Sequence, residues 1–226
     1  MNIYGGQGYA CLLSSMGEDH TPALAARVSF ADYENGLMND RNLRLIKYLA
    51  KHQHTSPFEH QTASFVIDCP IYVARQIMRH RTFSYNEVSR RYTSEALDFH
   101  LPDELRAQAK SNLQCSTSEV VNRSDEFVGL IERHQDLSLE MYNELIESGV
   151  AREQARAVLP QSLNTTFWMT GNLLNWSKFL KLRLDSHSQP ETREVAEAIM
   201  IQLGKLWPIS LSALLGDHVK THQAEN

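Results

Sequence analysis

The 226-residue chain is 42% hydrophobic and 22% charged, near globular averages, which excludes disorder over most of its length and allows one sizeable core. Its net charge of −5 argues against wholesale binding to nucleic acid, and three scattered cysteines (Cys11, Cys69 and Cys115) read as reduced thiols rather than a disulfide framework or a structural zinc site. No basic leader precedes an apolar run and no stretch approaches ~18 uninterrupted apolar residues, so a single cytoplasmic domain spanning residues 1–226, with no membrane partner, is expected.

Residues 1–17 read as irregular or strand-like, with Gly5-Gly6-Gln7-Gly8 as a turn that lacks the spacing of a dinucleotide fingerprint. Thr21-Pro22 has the chemistry of a helix start, for a helix to about Phe30. Asn39 or Asp40 can cap a second helix ending at Lys51, where Leu43, Ile46, Tyr48 and Leu49 approximate the helical period. Residues 52–61 form a loop closed by Pro57, and residues 62–68, partly alternating and rich in β-formers, predict a strand.

Pro70 then opens a helix with Ile71, Ala74 and Met78 on one face, and Arg75 and Arg79, four apart, are neighbours on it. Beyond that helix the chain reads as irregular, and the polar stretch to about Ser116 carries no clear pattern. From there to Glu147 a long amphipathic helix is predicted, with Val120, Phe127, Ile131, Leu137, Met141, Leu145 and Ile146 on its inner side and Gly149 as its stop. A short helix over 151–158 breaks before Pro160, and residues 162–169 read as a strand. Residues 172–184 read as a helix with Leu173, Trp176, Leu180 and Leu184 in phase. Pro190 opens the last helical region, which reaches Leu215 and is interrupted at Pro208. Long helices around a small, mostly antiparallel sheet, without regular β-α alternation, give an α+β fold.

The chemistry concentrates between Pro70 and Tyr92. There Arg75, Arg79, Arg81, Arg90 and Arg91 face one acid, Glu87, a local balance of +4 that leaves −9 on the rest of the chain. Such a reversal focuses field at one place, and guanidinium forks suit phosphate, so the expected guest is an anion. Three other readings stand beside this one. Arg75 to Arg91 could form a phosphate stripe for nucleic acid with Tyr85 and Tyr92 as stacking platforms, although packing is the simpler role for both tyrosines. His52, His54 and His60 have spacing compatible with a metal site, and would build a metal-dependent hydrolase. Ser89 with His80 as base is a nucleophile pair without a visible elbow motif.

The segment Arg79-His80-Arg81, seven positions, then Ser89 resembles the signature of the flavin-dependent thymidylate synthases, and Ser84, Tyr85, Asn86, Glu87, Arg91 and Tyr92 are similar to that family as well. Three further blocks resemble it: residues 51–60, residues 148–160 around Arg156, and the end of the 172–187 block, Leu182 to His187. The resemblance implies reductive methylation of dUMP to dTMP, with 5,10-methylenetetrahydrofolate as carbon donor, FAD carrying hydride and NADPH reducing the flavin. It also implies a homotetramer with active sites assembled between subunits, without metal or nucleic acid. Other thymidylate synthases attack uracil C6 with a cysteine, and nothing marks Cys11, Cys69 or Cys115 as an activated thiolate.

By the same residue matching, dUMP is expected on Gln76, Arg79, Glu87, Ser89, Arg91, Arg156 and Arg183. FAD is expected on His54, Ser56, Arg79, His80, Arg81, Glu87, Asn172 and Lys178. Arg183 would face the uracil ring and stabilise charge developing on N3 and O2, and Ser89 would position the pyrimidine. In some family members the positions of Leu174 and Lys178 are an arginine and an asparagine that touch flavin, and this chain departs at both. At 100° per residue, Asn172, Trp176, Phe179 and Arg183 fall in one arc, so Asn172 and Arg183 are expected to serve one surface and Leu174 and Lys178 another.

Overall fold

The computed structural model describes residues 1–31, 38–95, 97–110 and 112–216. The chain opens with β1 (Asn2–Ile3), a 3-10 turn at Tyr4–Gly6 and β2 (Gly8–Met16), followed by α1 (Thr21–Arg27), which runs into a 3-10 turn at Val28–Phe30. Then come α2 (Asp40–Lys51), a 3-10 turn at Ser56–His60, β3 (Thr62–Pro70), α3 (Ile71–Ile77) and β4 (Ser84–Glu87). A hairpin of β5 (Arg106–Gln108) and β6 (Ser116–Val120) precedes α4 (Ser124–Glu147) and α5 (Arg152–Ala155). A 3-10 turn at Arg156–Val158, β7 (Asn164–Asn172), α6 (Leu173–Arg183), α7 (Pro190–Leu206) and α8 (Pro208–Leu215) complete it.

β1, β2, β3, β7 and β4 form one sheet in that order, each pair antiparallel. β3 and β7 are its spine. Ala63, Phe65, Ile67 and Cys69 alternate with less buried partners, and the register sets Phe65 opposite Met169 and Ile67 opposite Phe167 on the inner face. Against that face lie α3, α6 and α7, with α8 behind them, burying Trp176, Phe179, Leu180, Ile199, Leu203 and Trp207 in one cluster. The described residues leave the opposite face of the sheet uncovered. There Trp168 is 54% exposed, between Val66 and Asn86 in the ladder, and Tyr9 and Cys11 on β2 are exposed too.

Local chemistry sets several boundaries where the sequence predicts them. Asn39 caps α2, its side chain accepting from Asn42 N at 2.9 Å, and Pro208 divides the last helical region. Leu173, Trp176, Leu180 and Leu184 are all buried, as their phase requires, while on α3 the buried face is Val73, Ala74 and Ile77, with Ile71 and Met78 flanking it.

Three expectations fail. The stretch after α3 is not irregular: Ser84–Glu87 pairs with β7 as an edge strand. The helix predicted from Ser116 begins at Ser124, because residues 116–120 form β6. Its inner row also differs, since of the predicted inner residues only Ile131, Leu145 and Ile146 are even half-buried. α4 turns Ser124, Gln135, Ser138 and Tyr142 inward, where Gln135 donates to His100 O and to Ser162 Oγ, and Tyr142 to Ser94 Oγ. The predicted inner residues Phe127, Leu137 and Met141 are exposed, as are Leu130 and, on β6, Val120.

Gly171 on β7 sits face to face with the Phe83 ring, and a Cβ there would fall inside that ring's van der Waals envelope. Phe83 is wedged among Trp176, Phe179 and Tyr85, so it has little room to retreat. Gly171→Ala is therefore expected to destabilise the fold by about 1–3 kcal/mol through overpacking. Thermal unfolding measures this, and an unchanged melting temperature would contradict the packing described.

Candidate functional site

The arginine-rich segment is shaped by the way α3 ends. The last carbonyls of a helix lack intrahelical donors; here Gln76 O and Ile77 O accept from the backbone N–H groups of Arg79 and His80, and two side chains from outside the helix bond to this end as well. Arg183, at the end of α6, donates through Nη2 to Gln76 O at 2.8 Å, and the Tyr85 hydroxyl lies 3.1 Å from Ile77 O and 3.0 Å from His80 O. A cation at a helix C-terminus also meets the favourable end of its dipole. Pinned in this way, the turn throws Arg79 and Arg81 outward, and with Arg75 they are exposed and make no side-chain hydrogen bond among the described residues.

His80 turns the other way, its ring edge-on to Phe179 at 4.9 Å. Arg183 Nε donates to His80 Nε2 at 3.0 Å, so the ring proton resides on Nδ1. Burial, reinforced by the Arg183 charge, lowers the His80 pKa to about 4, and the imidazole is neutral at physiological pH. Burial likewise lowers the Arg183 pKa and raises that of Tyr85.

Past β4, two adjoining depressions run along the surface and share Ile71 and Glu87. One, of about 530 Å³, is lined by Arg75, Met78 and Arg79. The other, of about 390 Å³, is lined by Ser89, Arg90, Arg156, Asn164 and Thr165. Glu87 accepts from Thr165 Oγ1 at 2.7 Å, which fixes its carboxylate between the two. Arg90 is structural in part, donating to the carbonyls of Glu95 and Asn164. Arg91 is exposed at 3.7 Å from Glu153, an ion pair weak enough to yield to an incoming anion.

A separate cavity of about 850 Å³ is bounded by Arg27, Arg41, Tyr48, His54 and Ser56. His52 and His54 lie against the Tyr48 ring, at 4.3 and 6.2 Å between centroids. Among the described residues no three His, Cys, Asp or Glu side chains are grouped to hold a metal ion.

The residues expected to bind nucleotide are thus partly brought together. Arg79, Glu87, Ser89 and Arg156 line the linked depressions. Arg183 lines neither depression and is bonded instead to His80 and to the Gln76 carbonyl. The Gln76 side chain is engaged elsewhere, with Gln189 and Thr192. Of the residues expected to bind flavin, His54 and Ser56 belong to the separate cavity and Arg81 and Lys178 are exposed.

Asn172 corrects the helical-arc expectation. It ends β7 and caps α6, accepting from Asn175 N at 3.0 Å, while the arc through Trp176 and Phe179 points into the core. Asn172 and Arg183 therefore share no surface through that helix face. Leu174 is buried while Lys178, one turn on, is exposed. Ser89 does not pair with His80: its Oγ accepts from Arg91 N at 3.3 Å, and His80 is bonded to Arg183.

Tyr85 is half-buried with its hydroxyl on backbone carbonyls, so it is no stacking platform, whereas Tyr92 is 80% exposed rather than packed. None of the three cysteines lines any of these cavities, and burial raises the Cys69 pKa well above its ordinary value. Sequence reasoning passed over Arg27, although its position four residues after the buried Ala23 turns it to the inner face of α1.

Among the described residues no helix is long and apolar enough to cross a membrane. Residues 11–209 match a family described as thymidylate synthase complementing protein. A flavin-dependent thymidylate synthase of Thermus thermophilus is 40% identical over 207 residues, 92% of this chain and 75% of that protein. Another, of Kosmotoga olearia, is 39% identical over 222 residues, covering 95% of each. The crystal structure of a UMP/dUMP methylase, PolB, from Streptomyces cacaoi bound with 5-Br dUMP superposes with a TM-score of 0.83 at 34% identity, covering 91% of this chain and 94% of that one.

Proposed function

The chain belongs to the flavin-dependent thymidylate synthase family, and from that premise we propose that it converts dUMP to dTMP by reductive methylation, with 5,10-methylenetetrahydrofolate as carbon donor and NADPH as reductant. The observation that carries this reading is the groove itself. Arg79, Glu87 and Ser89 of one segment and Arg156, distant in sequence, line adjoining depressions sized for a mononucleotide.

Arg156, with Arg91 released from Glu153, holds the nucleotide phosphate, and a bidentate guanidinium fixes its orientation. Ser89 hydrogen-bonds the pyrimidine. Arg183 meets the uracil edge and stabilises negative charge on N3 and O2 as C5 becomes nucleophilic, which lowers the barrier where the charge changes. Neutral His80 accepts from Arg183 Nε and holds the guanidinium plane without adding a second positive charge. Gln76 acts through its carbonyl, which anchors Arg183, rather than through its side chain.

The chain also fits FAD. Its guanidiniums at Arg79 and Arg81 are exposed without hydrogen-bond partners among the described residues, and the cavity beside His54 and Ser56 contains the buried cation Arg27. Arg79, Arg81, His54 and Ser56 would hold the cofactor, with Glu87, Asn172, His80 and Lys178 near it, and FAD supplies the hydride when bound.

His54 and Ser56 line a different cavity from the arginine groove, which supports a site completed by a second copy of the chain. The outward stripe of α4 supports the same conclusion. Phe127, Leu130, Leu137 and Met141, with His134 between, follow the alternating three-and-four spacing of a helix-packing seam. Exposed apolar surface of this kind marks an interface, and the uncovered sheet face around Trp168 offers another. Two such faces per chain suit a homotetramer.

Purified protein is expected to show flavin absorbance that NADPH bleaches and that dUMP plus methylenetetrahydrofolate restores. A protein that takes up no flavin would contradict the reading.

A further inference from the structure

Arg27 has so far been only a buried cation of the cavity beside His54 and Ser56, with no contact assigned to it. It ends α1 and is only 9% exposed, yet its Nε and Nη2 are buried without a hydrogen-bond partner among the described residues. No carboxylate among those residues lines the cavity it faces. A buried charge is ordinarily paired or hydrogen-bonded, because desolvating it alone is costly. A guanidinium has five donors and no acceptor capacity, so what satisfies it must be an acceptor and is best an anion. Arg41 on α2 lines the same cavity and is exposed with no side-chain partner among the described residues, and the Ser56 hydroxyl and the Tyr48 ring complete that wall.

We propose that Arg27 is a further cofactor-binding residue, which with Arg41 grips the diphosphate of the flavin dinucleotide. Two guanidinium forks and a hydroxyl match a group bearing two adjacent anionic phosphoryls. The cavity, about 850 Å³, is of a size for a dinucleotide, whereas the depression around Ser89 and Arg156 is less than half as large. The inference rests on the flavin reading above and adds to it a residue and a selectivity: Arg27 distinguishes phosphorylated from unphosphorylated flavin.

The test is equilibrium binding to flavin-stripped protein, by flavin fluorescence, for wild type, Arg27→Met and Arg27→Lys, with FAD and riboflavin as separate ligands, and by calorimetry for dUMP. Arg27→Met is expected to raise the FAD dissociation constant at least tenfold and leave riboflavin and dUMP unchanged. Arg27→Lys retains the charge and is expected to lie between. The ligand-free melting temperature of Arg27→Met should equal or exceed that of wild type, because methionine removes an unpaired buried cation.

Wild-type FAD affinity in Arg27→Met would overturn the proposal, as would an equal loss for riboflavin. So would a loss confined to dUMP, which would assign the guanidinium to the nucleotide phosphate. A lower ligand-free melting temperature in both variants would make Arg27 structural and overturn it too. Wild-type protein that binds no flavin at all would instead overturn the flavin reading, and this inference with it.

Discussion

Replacing Arg183 with alanine is expected to lower kcat for dTMP formation by about a hundred- to a thousandfold, the usual cost of removing one preorganised donor from a site of developing charge. The KM for dUMP should move far less, since in the proposed mechanism the arginine's interaction strengthens in the transition state while Arg156 and Arg91 would hold the phosphate. Arg183 also donates to Gln76 O and to His80, so a purely structural role must be separated from a catalytic one. Two controls do this. The thermal unfolding of the variant shows whether the α3 terminus has come apart. The His80 pKa, held near 4 by burial first and by Arg183 second, should rise when the guanidinium is removed, and NMR titration reads that directly. A variant that turns over dUMP at the wild-type rate would remove Arg183 from the mechanism.

The second large effect concerns assembly. Leu137 and Met141 are exposed on the single chain, at 57% and 45%, so introducing charge there costs the folded protomer little. The double variant Leu137→Glu, Met141→Glu is nevertheless expected to fall to a smaller oligomer in light scattering and to lose at least a hundredfold in activity, with flavin released. Burying two carboxylates in an apolar seam is the reason. If the variant keeps wild-type mass and wild-type turnover, α4 is not an interface and the shared-site account fails.

What was legible in the sequence was what short-range chemistry decides. The Asn39 cap, Pro70 and Pro190 at helix starts, the Pro208 break and the inner row of α6 follow from capping, fixed proline φ and the 3.6-residue period. Family resemblance added Arg79, Glu87, Ser89 and Arg156, which line two adjoining depressions.

The rest depended on partners that no local pattern encodes. Ser84-Tyr85-Asn86-Glu87 has little strand propensity, and it is extended because Thr170 to Phe167 offer it a ladder edge. The period of α4 is real, but a period does not say which body covers an apolar face, and here the chain's own body takes the polar side. The Asn172–Arg183 expectation failed because the arc through Trp176 and Phe179 faces the core and Asn172 is spent on capping the helix that starts at Leu173. Arg27 lay in helical phase with Ala23, but only the surrounding structure reveals that its charge is buried without a partner among the described residues.

The account stands or falls on whether this chain delivers hydride from flavin to carbon at uracil C5. The direct measurement is dTMP formed from dUMP, methylenetetrahydrofolate and NADPH by protein stripped of flavin, before and after FAD is restored. The account predicts product only after restoration. Equal product from the stripped protein, or none from the fully reconstituted mixture, would contradict it.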